Sequence, residues 1–150
     1  MLQRLLVEAS LALCVFCAAE TVVACVYIFG AFEIWLLAWF LVRDNLNLVV
    51  LIASIVFWLL EESCKRAFFC MAKFLAISSI VLFGFDIATI AIFINNHEIV
   101  GGTVWLCIGV LFFGRITFRI SGFIAIRRLV RCELERLATE EAEAEEDVRF

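Results

Sequence analysis

Proline is missing altogether from these 150 residues, and histidine and tyrosine occur once each. Without proline no helix is kinked by a pyrrolidine ring, and the broken-helix layout of secondary transporters lacks that marker. A single histidine leaves no Ser/His/Asp set and no zinc-binding HExxH, and no glycine-rich phosphate loop is present. The reading is therefore a non-enzymatic protein with no catalytic residues, no metal site and no cofactor. His97 stands beside Glu98 in a short polar turn and reads as a solvated loop histidine, since one His and one Glu make a poor metal site.

Polar sequence is equally scarce. The chain is 65% hydrophobic with a mean hydropathy of +1.08, whereas soluble domains are about 45–50% apolar. About 20 apolar residues cross a bilayer core as a helix, so there is room for four crossings and little else. The expected fold is all-α, a four-helix transmembrane bundle (1–131) with a cytoplasmic, helical, acidic C-terminal tail (132–150). The formal net charge of −4 is set by that tail, where Glu133, Glu135, Glu140, Glu141, Glu143, Glu145, Glu146 and Asp147 face only Arg136 and Arg149. The remainder is slightly basic, and nothing points to nucleic acid.

The first crossing is expected over about Leu5–Phe29, retained rather than cleaved because Glu8 interrupts a signal-like apolar region. Ala31–Val42 is too short to span and reads as an interfacial segment or an extension of the first helix. Arg43-Asp44-Asn45 is the first polar break. The second crossing is then Leu46–Leu60, completed by Glu61–Arg66; the third is Phe74–Ile94 and the fourth Gly102–Ile126. Lys65, Arg66, Lys73, Arg127, Arg128, Arg131 and Arg4 fall on one side and Arg43 on the other, which puts both termini in the cytoplasm. Cys14 and Cys17 have redox spacing, but no second pair accompanies them, and they read as small hydrophobes.

Charges inside the apolar stretches carry most of the mechanistic content. An arginine near the bilayer centre costs about 2.5–3.5 kcal/mol on insertion scales, so it is normally paired. Arg115 and Arg119 lie in the fourth crossing one helical turn apart, on one face. Asp86 is at similar depth on the third crossing, Glu20 lies somewhat outside the midplane on the first, and Glu61 and Glu62 end the second. The expected network pairs Arg115 with Asp86, and Arg119 with Glu61 or Glu62. Gly114, Ser121 and Ala125, with Thr117 between, form a small-residue stripe that suits close packing within the chain or against a second copy. Arg127, Arg128 and Arg131 form a juxtamembrane cluster suited to anionic lipid head groups. Val130, Leu134 and Leu137 form a short apolar seam in a helix expected to fray into the acidic end.

Trp58-Leu59-Leu60-Glu61-Glu62-Ser63-Cys64-Lys65 places an aromatic, an acid three on and a base four further on one helical face. This resembles the charge-transfer centre of voltage-sensor domains, the family that includes voltage-gated proton channels. The resemblance implies that Trp58, Glu61 and Lys65 form a site past which fourth-helix arginines move, and that the charged C-terminal helix dimerises. The family repeats a base every third residue on its fourth helix, whereas Arg115 and Arg119 are four apart and Phe112 and Phe118 occupy the flanking positions. Two functions thus stand: a structural or accessory subunit of a membrane assembly, either a homo-oligomer or a larger complex, or a divergent voltage-sensor-like module conducting protons or ions. They differ in whether water reaches the layer of Asp86 and Arg115.

Overall fold

A computed structural model describes residues 2–27, 34–59, 65–95 and 101–150. It is all-helical there: α1 (Leu2–Tyr27), α2 (Ile34–Leu59), α3 (Lys65–Asn95) and α4 (Gly102–Arg149). All four helices are long and apolar enough to cross a membrane, and the chain is an integral, multi-pass membrane protein.

The second helix corrects the sequence reading. The break expected at Arg43-Asp44-Asn45 is absent, and Ile34–Leu59 is one continuous helix with Arg43 fully buried inside it. Consecutive residues of a helix point about 100° apart, so three polar residues in a row need not leave it. Arg43 faces the bundle interior. Asp44 turns toward α1, and exposed Asn45 donates its amide to the carbonyl of Leu41 at 2.8 Å. Each polar side chain is satisfied without opening the backbone.

The buried positions of α2 are Leu36, Phe40, Arg43, Asn47, Val50, Ala53, Ser54 and Phe57. Apart from Ala53 they alternate by four and three, the spacing that keeps one seam of a supercoiled helix against its neighbours. α1 follows the same rhythm through Leu6, Ser10, Leu13, Cys17, Glu20 and Ala24, with Ala9 beside it. On α3 the seam passes through Ala72, Leu75, Leu82, Asp86, Thr89 and Phe93, and on α4 through Ile108, Arg115, Arg119, Gly122 and Ile126. The helices form an antiparallel square in which each backbone packs on the two next to it, while the backbones of α1 and α3, and those of α2 and α4, stay apart across the diagonals.

Two apolar layers cap this square. One joins Leu6, Phe57, Leu75 and Ile126, and the other joins Ala24, Phe40, Phe93 and Ile108. Between α1 and α4 the approach is close: a methyl group on Gly114 would come within 2.9 Å of the Phe16 ring, and Gly122 faces Leu6 and Ala9. Gly114, Gly122 and Ala125 are thus used within the chain. Thr117 is exposed and Ser121 partly so, with their hydroxyls donated to the carbonyls of Phe113 and Thr117.

Isolated polar contacts pin helix pairs on either side of the centre. Ser54 gives its proton to the Val50 carbonyl at 2.8 Å, so in the 3.1 Å contact with Ser10 it accepts. Trp39 stacks on Phe85, with centroids 4.7 Å apart, and donates its indole N–H to Thr89 Oγ1 at 3.1 Å. Interhelical hydrogen bonds in lipid average about 0.6 kcal/mol and reach about 1.7. Trp39→Phe keeps an aromatic ring over Phe85 and is expected to lose an amount in that range, read as a lower unfolding midpoint in detergent. A midpoint equal to wild type would show that this bond adds nothing.

α4 continues through the boundary expected at residue 131 and stays helical to Arg149, so the acidic end does not fray. Residues 123–150 contain no glycine or proline and are rich in Ala, Glu, Leu and Arg, all strong helix formers. Arg136 adds pairs one turn away, to Glu133 at 2.5 Å and Glu140 at 3.7 Å. Leu129 and Val130 still pack on the bundle, and beyond Val130 the helix projects roughly 30 Å.

Candidate functional site: a buried ionic network

Three arginines and three acids meet between the two apolar layers. Glu20 comes from α1, Arg43 and Asp44 from α2, Asp86 from α3, and Arg115 and Arg119 from α4. They form a chain of alternating sign. Arg43 Nε and Nη2 donate to Asp44 Oδ1 at 3.2 and 3.0 Å, and Arg43 Nη1 donates to Glu20 Oε1 at 2.7 Å. The other Glu20 oxygen lies 2.8 Å from Arg115 Nη2. Arg115 Nη1 donates to Asp86 Oδ1 at 2.9 Å. Arg119 then turns its Nε and Nη2 side to Asp86 Oδ2 at 3.0 and 2.9 Å. The formal charges cancel.

Asn47 closes the chain into a loop. Its Oδ1 accepts from both Nη atoms of Arg119 at 3.1 Å, which joins α2 to α4 across the diagonal of the square. Its Nδ2 donates to the Arg43 carbonyl at 2.9 Å and toward Cys17 Sγ at 3.5 Å. The amide can be placed only this way round, because the reverse would set N–H groups against a guanidinium. Thr21 adds a charge-assisted bond, donating to Asp44 Oδ2 at 2.5 Å and accepting from Arg43 Nη2 at 3.3 Å. Arg43 also satisfies the Cys17 carbonyl at 3.1 Å, and Phe40 lies beneath its guanidinium with the ring centre 5.0 Å away.

The layer is buried. Glu20, Arg43, Asp86 and Arg115 have no accessible surface, while Asn47 retains 2% and Arg119 3%. The Asp44 side chain, 24% exposed, is the only one of the six charged groups with appreciable access. Burial at this depth is tolerable because each ion meets its opposite with hydrogen bonds. Arg115 is the least completely satisfied. Its Nη2 is close to Glu20 Oε2 but off the line of a hydrogen bond, and its Nε has no acceptor among the described residues; the centre of the Phe112 ring lies 5.8 Å from its Cζ.

Four of the six residues expected in the network, Glu20, Asp86, Arg115 and Arg119, are brought together as one site. Arg115 pairs with Asp86 as expected and with Glu20 as well. Arg119 uses Asp86 and Asn47. Glu61 and Glu62, expected as its partners, lie outside the described residues, as do His97 and Glu98. Of the aromatic-acid-base motif, Trp58 is 47% exposed on the outside of the bundle, Glu61 is outside the described residues, and the Lys65 side chain is not described. Arg127, Arg128 and Arg131 are exposed where α4 leaves the bundle. Arg43, Asp44 and Asn47 were not expected in the site; the signal that finds them is the four-and-three spacing that Arg43 and Asn47 share with Leu36, Phe40, Val50, Ser54 and Phe57. Compared with known proteins, the chain matches no family model, no curated sequence and no solved structure.

Proposed function

We propose that this protein is a non-enzymatic structural or accessory subunit of a larger membrane assembly, a rigid four-helix element whose ionic network fixes its own packing. The supporting observation is the closed, neutral and buried layer. Ion or proton conduction needs water at the charges, and Glu20, Arg43, Asp86 and Arg115 have no surface for water to reach. A network that joins all four helices and balances its own charge suits a part that holds one shape while its apolar exterior meets lipid and neighbouring proteins. Orientation belongs to the same proposal. With Arg43 inside the membrane, the sequence between α1 and α2 (28–33) and between α3 and α4 (96–100) carries no Lys or Arg. The positive-inside rule then assigns both termini and the acidic tail to the cytoplasm.

One observation favours the second reading, a divergent voltage-sensor-like module. Asp86 accepts from both Arg115 and Arg119, which lie one turn apart, so a slide of α4 by about 5.4 Å would pass the carboxylate from one arginine to the other. Whole-cell recording of surface-expressed protein under a pH gradient separates the two. The subunit reading expects neither proton current nor gating charge in wild type, Arg115→Ala or Arg119→Ala. A depolarisation-evoked current or charge movement altered by Arg119→Ala would overturn it in favour of the second.

A further inference from the structure

The polar seam takes up Arg43, Arg115 and Arg119, whereas Lys73 and Arg127, at the end of the bundle from which α4 projects, meet no acid among the described residues. Lys73 of α3 and Arg127 of α4 are exposed, and among the described residues neither forms a hydrogen bond or ion pair. They line the same groove, about 470 Å³, where α3 lies less closely against α4 than α1 does. Its other lining residues are apolar, among them Phe69, Ala72, Ala76 and Phe123, and no carboxylate is found among the described residues that line it. Phe123 also lines a second hollow of about 210 Å³, which continues along α3 past Ile80 and Phe83 to Arg119. Arg119 already spends its guanidinium on Asp86 and Asn47. The upper hollow therefore offers almost purely apolar surface.

We propose that this α3–α4 groove is a binding site for one anionic phospholipid. The head-group phosphate sits between Lys73 and Arg127, and one acyl chain lies past Ala76 and Phe123 to Phe83. Ten residues separate Lys73 from Phe83, about 15 Å along a helix. That equals half of a roughly 30 Å hydrocarbon core, the depth one acyl chain occupies in one leaflet. Charge complementarity selects the occupant: two cations with no acid partner among the described residues, at the head-group end of apolar walls, match a phosphate ester on a hydrocarbon tail. Arg127 also borders the open groove that Arg128 and Arg131 share with Glu135, but Arg128 and Arg131 do not line the groove of Lys73. The site is thus narrower than the juxtamembrane basic cluster, and Lys73 is a member that lies far from that cluster in sequence.

The test is native mass spectrometry and lipid-dependent thermal shift on the full-length protein in mild detergent. The probes are phosphatidylglycerol, phosphatidylcholine and the soluble ester glycerol phosphate. Phosphatidylglycerol is expected to be retained in preference to phosphatidylcholine, with glycerol phosphate giving no shift. At about tenfold or less per cation, Lys73→Gln with Arg127→Gln should weaken retention of phosphatidylglycerol about 30-fold. Arg128→Gln with Arg131→Gln should leave the preference within about threefold of wild type on the same scale. Ala76→Phe, which fills the groove without touching a charge, should displace the lipid as well. Equal losses from the two arginine-containing pairs would reveal diffuse attraction to a basic surface and overturn the proposal. So would retention undiminished by Ala76→Phe, a shift with glycerol phosphate matching that of the lipid, or no preference for phosphatidylglycerol in wild type. All five positions are partly or fully exposed, and unchanged helicity and gel-filtration behaviour verify that each variant is folded.

Discussion

Asp86→Asn is expected to destabilise the bundle by about 3–5 kcal/mol, the cost of leaving a buried charge without its partner. The substitution is nearly isosteric, so packing is not the cause. Asp86 is the acceptor for Arg115 through Oδ1 and for Arg119 through Oδ2. An asparagine offers one carbonyl oxygen and turns an N–H toward a guanidinium, and the buried layer acquires a net positive charge. Arg115→Met is expected to cost a similar amount for the opposite reason, since Glu20 and Asp86 then share too little positive charge. In the double variant, Glu20 and Asp44 balance Arg43 and Arg119, and neutrality returns. The double variant should therefore be more stable than the sum of the single losses by roughly 0.5–3 kcal/mol, the range for directly coupled residues. Unfolding by denaturant or heat in detergent measures all four corners of the cycle. Strictly additive losses would mean that Asp86 and Arg115 do not act as a pair.

This cycle also bears on why the site was only partly visible before the structure. Asp86, Arg115, Arg119 and Glu20 stand out because each interrupts an otherwise apolar run, where a lone charge calls for a partner. The pairing of Arg115 with Asp86 followed from depth alone: both lie near the middle of neighbouring antiparallel helices. Arg43, Asp44 and Asn45 were hidden by being adjacent. Three polar residues in succession look like a turn on a hydropathy scale, which registers average polarity and ignores direction. Helical direction tells otherwise, because Arg43 and Asn47 continue a four-and-three series of buried positions that begins at Leu36 and ends at Phe57. Misplacing Arg43 divided α2 into an interfacial piece and a short span. It also removed the cation that neutralises Glu20, which then had no assigned partner. The persistence of α4 to Arg149 is a simpler case: helix propensity and pairs one turn apart outweighed the acidic repulsion that suggested fraying.

Arg43 therefore supports the sharpest test of this placement. On the outer membrane surface, as the sequence first suggests, it would tolerate replacement within about 0.5 kcal/mol. Buried in α2, it supplies Glu20, Asp44, Thr21 and the Cys17 carbonyl at once. Arg43→Met is expected to cost about 3–5 kcal/mol, because Glu20 keeps only Arg115 and the layer becomes net negative. Arg43→Lys keeps the charge and loses the planar fork, so a single ammonium cannot serve acceptors on two sides. Its expected loss is intermediate, about 1–3 kcal/mol, that of buried acceptors left unsatisfied. Adding Glu20→Gln to Arg43→Met restores neutrality and should return part of the loss, whereas adding it to wild type should destabilise. The same substitution at Glu20 thus changes sign with the residue at position 43. A loop arginine has no such effect on a residue of α1, so a Glu20 effect independent of position 43 in the unfolding midpoints would place Arg43 outside the bundle.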